Sequence, residues 1–239
     1  MSDLPLVVCD VETTGLSDTL HRVIEVSYAR VERGDWDSFN IQTYRFELSA
    51  LDFARGEPRA YDINGYRRNH PDWAGAPMLD SELAWSTWAK IQRDLTKVIL
   101  CNQNVAFDAK FLMGEMSRHS NRALAEPPWH GTWEAGAFCK KFMKRAGQKG
   151  WALHKTYDLV GGPRLPRHRA EADVLRAIWV VAEGMLQFPD MWNDFTMDKV
   201  AAKQAVERWS KTHVPVEDDV LLPEGHVEPE TLAAPYGEG

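Results

Sequence analysis

The sequence predicts an α/β fold with a mixed sheet, on three observations. Three strand-like segments crowd into the chain before residue 49, close enough to form a meander. After them, segments of helical period alternate with one short apolar run. Finally, the first segment, Leu6-Val7-Val8-Cys9-Asp10, and the short run Val98-Ile99-Leu100-Cys101 are apolar enough to read as buried strands.

The elements follow in order. Leu6-Val7-Val8-Cys9-Asp10 reads as a buried strand, and Val23 to Val31 and Phe39 to Leu48 as two more, joined around Arg33-Gly34-Asp35. Residues 49–77, rich in Pro, Gly, Asn and Asp, read as irregular. Asp80 to Thr96 has helical spacing at Leu83, Trp88, Ile91 and Leu95, with Asp80 or Ser81 as a cap. Val98-Ile99-Leu100-Cys101 is a fourth strand. Helices are predicted over Val105–Arg118, Glu134–Arg145, His168–Leu186 (with Val174, Ile178, Val181 and Met185 on one face) and Asp198–Lys211. This divides the chain into a domain over 1–190, a helix over 191–213 packed on it, and a tail over 214–239. The tail holds seven acids, four prolines and no Lys or Arg, and it is expected to be disordered.

No run approaches the roughly 18 apolar residues that span a bilayer, so no membrane partner is expected. The N-terminus has no basic segment leading into an apolar run, and Cys9, Cys101 and Cys139 have no zinc spacing, so a reduced, cytoplasmic setting is expected. Net charge is −7, which taken whole argues against a polyanionic partner. Its distribution does not. Cys139 to Arg169 carries nine Lys or Arg against one acid, while the tail carries the −7.

Three short patterns carry chemistry. Asp10-Val11-Glu12 ends the first strand, and residues i and i+2 share a face, so two carboxylates project together. They repel unless a cation lies between them, and a hard dication such as Mg²⁺ or Mn²⁺ takes oxygen ligands. Asp108, in Asn104-Val105-Ala106-Phe107-Asp108, falls in the first turn of the helix after the fourth strand. Taken alone, an acid there only complements the helix dipole. His168 and Asp173 lie five residues apart, about 140° around a helix, and converge only if His168 sits in the lead-in loop.

In this order, each at a strand–helix junction, the three resemble the motifs of the DEDDh exonucleases, the DnaQ-like family. Asp10-Val11-Glu12-Thr13-Thr14-Gly15 is similar to its D-x-E-T-T-G, and His168-Arg169-Ala170-Glu171-Ala172-Asp173 to its H-R-A-x-x-D. Gln103-Asn104-Val105-Ala106-Phe107-Asp108 matches H-N-x-x-F-D except that Gln103 replaces His. Asp62-Ile63-Asn64-Gly65-Tyr66 resembles the family's I-H-G-I loop, with Asn64 for His, and the usual Asp-Thr near residue 135 is replaced by Thr132-Trp133-Glu134. The resemblance covers about residues 5–187.

It implies a ribonuclease H-like fold with a central mixed five-stranded sheet flanked by helices. It also implies two divalent cations, Mg²⁺ or Mn²⁺, held by Asp10, Glu12, Asp108 and Asp173, with His168 as general base in a two-metal hydrolysis. Thr13, Thr14, Gly15 and Leu16 would contact the 3′-terminal nucleotide, with Asn64, Asn104 and Phe107 flanking the site. The implied partner is a nucleic acid with a free 3′ end. Single-stranded DNA is favoured over RNA, because Trp151-Ala152-Leu153-His154-Lys155-Thr156 looks like the corresponding part of exonuclease X. An RNA-trimming enzyme and a polymerase-associated proofreading or accessory subunit, tethered through the acidic tail, are the alternatives. Trp129, Trp133 and Trp151 border the basic stretch and are the candidates for base stacking.

Overall fold

The computed structural model describes residues 4–31, 40–68, 70–120, 124–166, 169–188, 191 and 199–213. Five strands form one sheet: β1 (Leu6–Thr13), β2 (Val23–Val31), β3 (Ile41–Arg45), β4 (Ile99–Asn102) and β5 (Gly131–Glu134). Their order is β3-β2-β1-β4-β5. β1 pairs antiparallel with β2, and β2 with β3; β1–β4 and β4–β5 are parallel. The mixed five-stranded sheet expected of a ribonuclease H-like fold is therefore present.

Helices cover both faces, so β1 must be apolar on both. Its residues alternate between two cores. Leu6 and Val8 pack with α7 (Ala170–Gln187), α5 (Gly136–Arg145) and α6 (Leu153–Leu159), whereas Val7, Cys9 and Val11 pack with α3 (Glu82–Asp94) and α4 (Val105–His119). α7 lies between the sheet and α8 (Lys199–His213), whose Ala202 and Val206 enter the same core. That is why most of α7, not just one face, is buried. The three cysteines are buried and unpaired. No described helix is long and apolar enough to cross a membrane.

Four expectations are corrected. Residues 49–77 are not irregular: they hold α1 (Ala50–Arg55), α2 (Pro58–Asn64) and a 3₁₀ turn at Pro71–Trp73. Ser49 starts α1 by accepting from Asp52 N, and Pro58 sits at the start of α2, where its missing N–H costs nothing. Second, the helix predicted from Glu134 starts at Gly136, because Gly131–Glu134 pairs with β4 as an edge strand. Third, Leu83 points to solvent; Ala84, Trp88, Ile91 and Leu95 form the buried stripe. Fourth, β3 is shorter than Phe39–Leu48. The Arg33-Gly34-Asp35 connection, His168 and the acidic tail lie outside the described residues.

Candidate metal centre

Neighbouring strands β1 and β4 send the chain in opposite directions, β1 towards β2 and β4 through α4 towards β5. Such a switch point leaves a crevice beyond the carboxyl ends of the two strands, where α/β sheets bind ligands. The crevice here is an open cleft of about 220 Å³, lined by Asp10, Glu12, Asp108 and Asp173 together with Asn102 and Phe107. That is several times the ~30 Å³ share of one water, so the cleft has room for more than a single solvent molecule.

Asp10 and Glu12 stand on the α7 face of β1, opposite Asp173 in the first turn of α7. One carboxylate oxygen from each lies within 4.8 Å of the others. Asp108 approaches from the far side of the sheet. β4 ends at Asn102 while β1 runs on, which leaves the Val11 N–H without a strand partner; it donates to Asp108 Oδ1 at 3.2 Å. Asn102 Nδ2 then donates to Asp108 Oδ2 and to Asp10 Oδ1, each at 2.9 Å. The β1–β2 register shifts between Glu12 and Thr13, where Ile24 of β2 is skipped.

The electrostatics are those of a site short of positive charge. Burial, then repulsion from Asp108, Asp173 and Glu12, holds the Asp10 carboxyl well above the usual range. Burial and repulsion from Asp173 and Glu25 do the same to Glu12, partly offset by Arg169. Asp108 is pushed up to about 7 by burial, against the hydrogen bonds from Asn102 and Val11. Clustered carboxylates, Asp108 buried and the other three partly so, with little compensating charge suit a hard divalent cation. The donor set therefore fits the ion implied by the motifs.

The turn after β1 is braced rather than open. Thr13 Oγ1 donates to Gly15 O at 2.8 Å, and Thr14 exchanges hydrogen bonds with the Arg22 backbone. Gly15 (φ +156°) admits no side chain, since a Cβ would lie 2.4 Å from His21 Cε1. Leu16 is 62% exposed at the tip. Asn64 is buried: its Nδ2 donates to Thr13 O at 3.0 Å and its Oδ1 accepts from Tyr66 N at 3.0 Å, so it supports the turn from beneath. Asn104 is exposed at the start of α4, and Phe107 lines the cleft while packing on Phe111. Of the tryptophans singled out, Trp129 is buried and Trp133 packs on Phe138. Trp151 is half-buried under Lys140, 4.2 Å from the ring, and its carbonyl accepts from Gln103 Nε2.

Sequence reasoning missed three residues. Asn102 adjoins the second motif, Arg176 is the single Lys or Arg of α7, and Glu25 is the cross-strand partner of Glu12. Glu25 is fully buried; its Oε2 accepts from Arg45 at 2.9 Å.

Among curated protein sequences, none matches. Solved structures share the fold at low identity. Escherichia coli exonuclease I in a zinc-bound complex with single-stranded DNA has TM-score 0.60 and 16% identity, over 78% of this chain and 41% of that one. A product-bound exonuclease I has TM-score 0.61 and 15% identity, over 79% and 45%. The E. coli enzyme with a dT13 oligonucleotide has TM-score 0.60 and 16% identity, over 79% and 42%. This chain thus spans less than half the length of those relatives. The sequence profile of the RNase_T family, described as "Exonuclease", matches residues 7–181, most of the chain and all three motifs. The chain belongs to this exonuclease family, within the DEDD, DnaQ-like group.

Proposed function

We propose that this protein is a 3′→5′ exonuclease that hydrolyses single-stranded DNA from its 3′ end with two divalent cations, Mg²⁺ or Mn²⁺. The observation that carries the reading is the meeting of Asp10, Glu12 and Asp173 oxygens within 4.8 Å, with Asp108 tied to Asp10 through Asn102. Asp10, Glu12, Asp108 and Asp173 hold the ions, which when bound polarise the attacking water and neutralise charge on the leaving oxygen. An imidazole nitrogen of His168 takes the proton from that water. Water oxygen bonds to phosphorus and the bond from phosphorus to the 3′ oxygen breaks. The terminal residue leaves as a 5′-mononucleotide and the shortened strand keeps a 3′ hydroxyl.

Substrate grip follows from the turn and its neighbours. Exposed Leu16 is the wedge at the 3′-terminal base, with Thr13, Thr14 and Gly15 presenting backbone beside it. Asn104 and Phe107 flank the phosphate, and Asn64 acts through the turn it supports. Lys140, exposed and stacked on Trp151, starts a path for the phosphate backbone along the basic stretch. DNA is favoured because the similar exonuclease I structures hold single-stranded DNA. The domain is read as 1–190 with the helix of 191–213 packed on it, and the acidic tail takes no part in catalysis.

The test uses purified protein on matched DNA and RNA oligomers labelled at the 5′ end. A ladder shortening from the 3′ end, dependent on Mg²⁺ or Mn²⁺, lost in chelator and faster on DNA is the expected result. Faster RNA trimming would reverse the substrate assignment, and internal cuts or chelator-resistant cleavage would overturn the mechanism.

A further inference from the structure

The side chain of Arg176 is only 5% exposed. A guanidinium is costly to bury unless its donors meet acceptors. Nη1 donates to Asp173 Oδ1 at 2.6 Å, and Nη2 donates to the backbone carbonyls of Leu165, at 3.0 Å, and Pro166. The Tyr157 ring lies 5.9 Å from the guanidinium, and its hydroxyl donates to Pro163 O at 2.6 Å. One buried cation therefore joins a carboxylate of the cleft to the backbone of Leu165 and Pro166, ahead of α7.

We propose that Arg176 is a positioning residue for the reaction: it holds Asp173 through Oδ1 and ties that carboxylate to the 165–166 backbone, so that Asp173 keeps one orientation towards the cleft. This rests on the reading of Asp173 as a metal ligand. Leu165 and Pro166 lie before the start of α7, so something other than helical hydrogen bonds must hold them to it. Arg176, three residues after Asp173, lies on the same side of the helix and reaches back to both. The planar fork of a guanidinium can bond a carboxylate in one direction and two carbonyls in another; an ammonium is a single point donor.

The experiment compares Arg176→Met, Arg176→Lys and Asp173→Asn with wild type, and adds Arg176→Ala for chemical rescue. Mn²⁺ affinity is measured by calorimetry without substrate, kcat and KM on a single-stranded oligonucleotide, and Tm in chelator. In Arg176→Met and Arg176→Lys, Mn²⁺ affinity and kcat should fall roughly 10- to 100-fold, with KM near wild type, as for other groups that orient metal ligands. Added guanidinium ion should restore part of kcat to Arg176→Ala and none to Asp173→Asn. Wild-type Mn²⁺ affinity and kcat in Arg176→Met, alongside loss of both in Asp173→Asn, would overturn the positioning role. So would a lower Tm with unchanged Mn²⁺ affinity, or failure of the variants to fold, since Arg176 would then be purely structural. If Asp173→Asn itself binds Mn²⁺ and turns over normally, the reading of the site fails first and the proposal goes with it.

Discussion

Val11 donates its backbone N–H to Oδ1 of Asp108 at 3.2 Å, which ties the strand bearing two carboxylates to the helix bearing a third. The bond exists because β4 stops short of β1, so Asp108 fills a gap in the strand ladder as well as facing the cleft. Structure and chemistry make opposite demands on it. Its negative charge is costly where it is buried, yet a metal needs that charge. Asp108→Asn keeps an acceptor for Val11 and removes the charge. Activity should fall by on the order of a thousandfold. In chelator at pH 8, Tm should equal or exceed that of wild type. Comparable activity in the variant at saturating Mg²⁺ would remove Asp108 from the metal site.

The metal-free protein should lose stability as pH rises. Asp10, Glu12 and Asp108 all hold their protons above the usual carboxylate range, Asp108 up to about 7. Unfolded carboxylates ionise near pH 4, so between about 4 and 7 the folded state binds more protons than the unfolded one. Their contribution is complete below pH 4 and lost as pH climbs through the folded value. Tm in chelator should decline across that window, less steeply in Asp108→Asn. Added Mn²⁺ should raise Tm more at pH 8 than at pH 5, because it competes with protons for the same oxygens. A metal-induced shift independent of pH would contradict this.

The parts legible in the sequence were those carried by local pattern. β1 is an unbroken apolar run, and the acids at its end are spaced as a strand requires, so Asp10 and Glu12 could be placed without knowing the sheet. Asp108 and Asp173 were placed by helix starts. What was not legible depended on distant partners. β5 has four residues and is a strand only because β4 lies beside it. α1 and α2 are too short for periodicity to show, though Ser49 and Pro58 mark their starts. Leu83 outranks Ala84 in hydrophobicity, yet the face toward the core is the one that carries Ala84. Asn102 and Glu25 matter because β1 places carboxylates next to them, and Arg176 because the loop before α7 folds back on it.

Away from the cleft, Glu115 on α4 is fully buried and collects the charge that holds the start of β2 in place. Its Oε1 accepts from Arg22 Nε at 2.9 Å, Val23 N at 3.2 Å and Arg118 Nη1 at 3.1 Å, and Oε2 lies 3.3 Å from His119 Nε2. Despite burial, those bonds and cations keep its carboxyl below the ordinary range. The sign is opposite to that in the cleft: the contribution is present above the unfolded value near 4.3 and lost as pH falls through the lower folded one. Glu115→Gln leaves Arg22 with less compensating charge in a largely buried position. It should cost about 3–5 kcal/mol at pH 7, a fall in Tm on the order of ten degrees. Because no ligand of the cleft is touched, kcat at 25 °C should stay close to wild type. The stability difference should narrow as pH drops from 5 to 3, where wild type loses what the variant already lacks. Thermal unfolding of both proteins across that range, with kcat measured in parallel, decides the matter. A constant difference would mean that the charge on Glu115 contributes nothing, and an unchanged Tm at pH 7 would mean that the network does not hold β2 to α4.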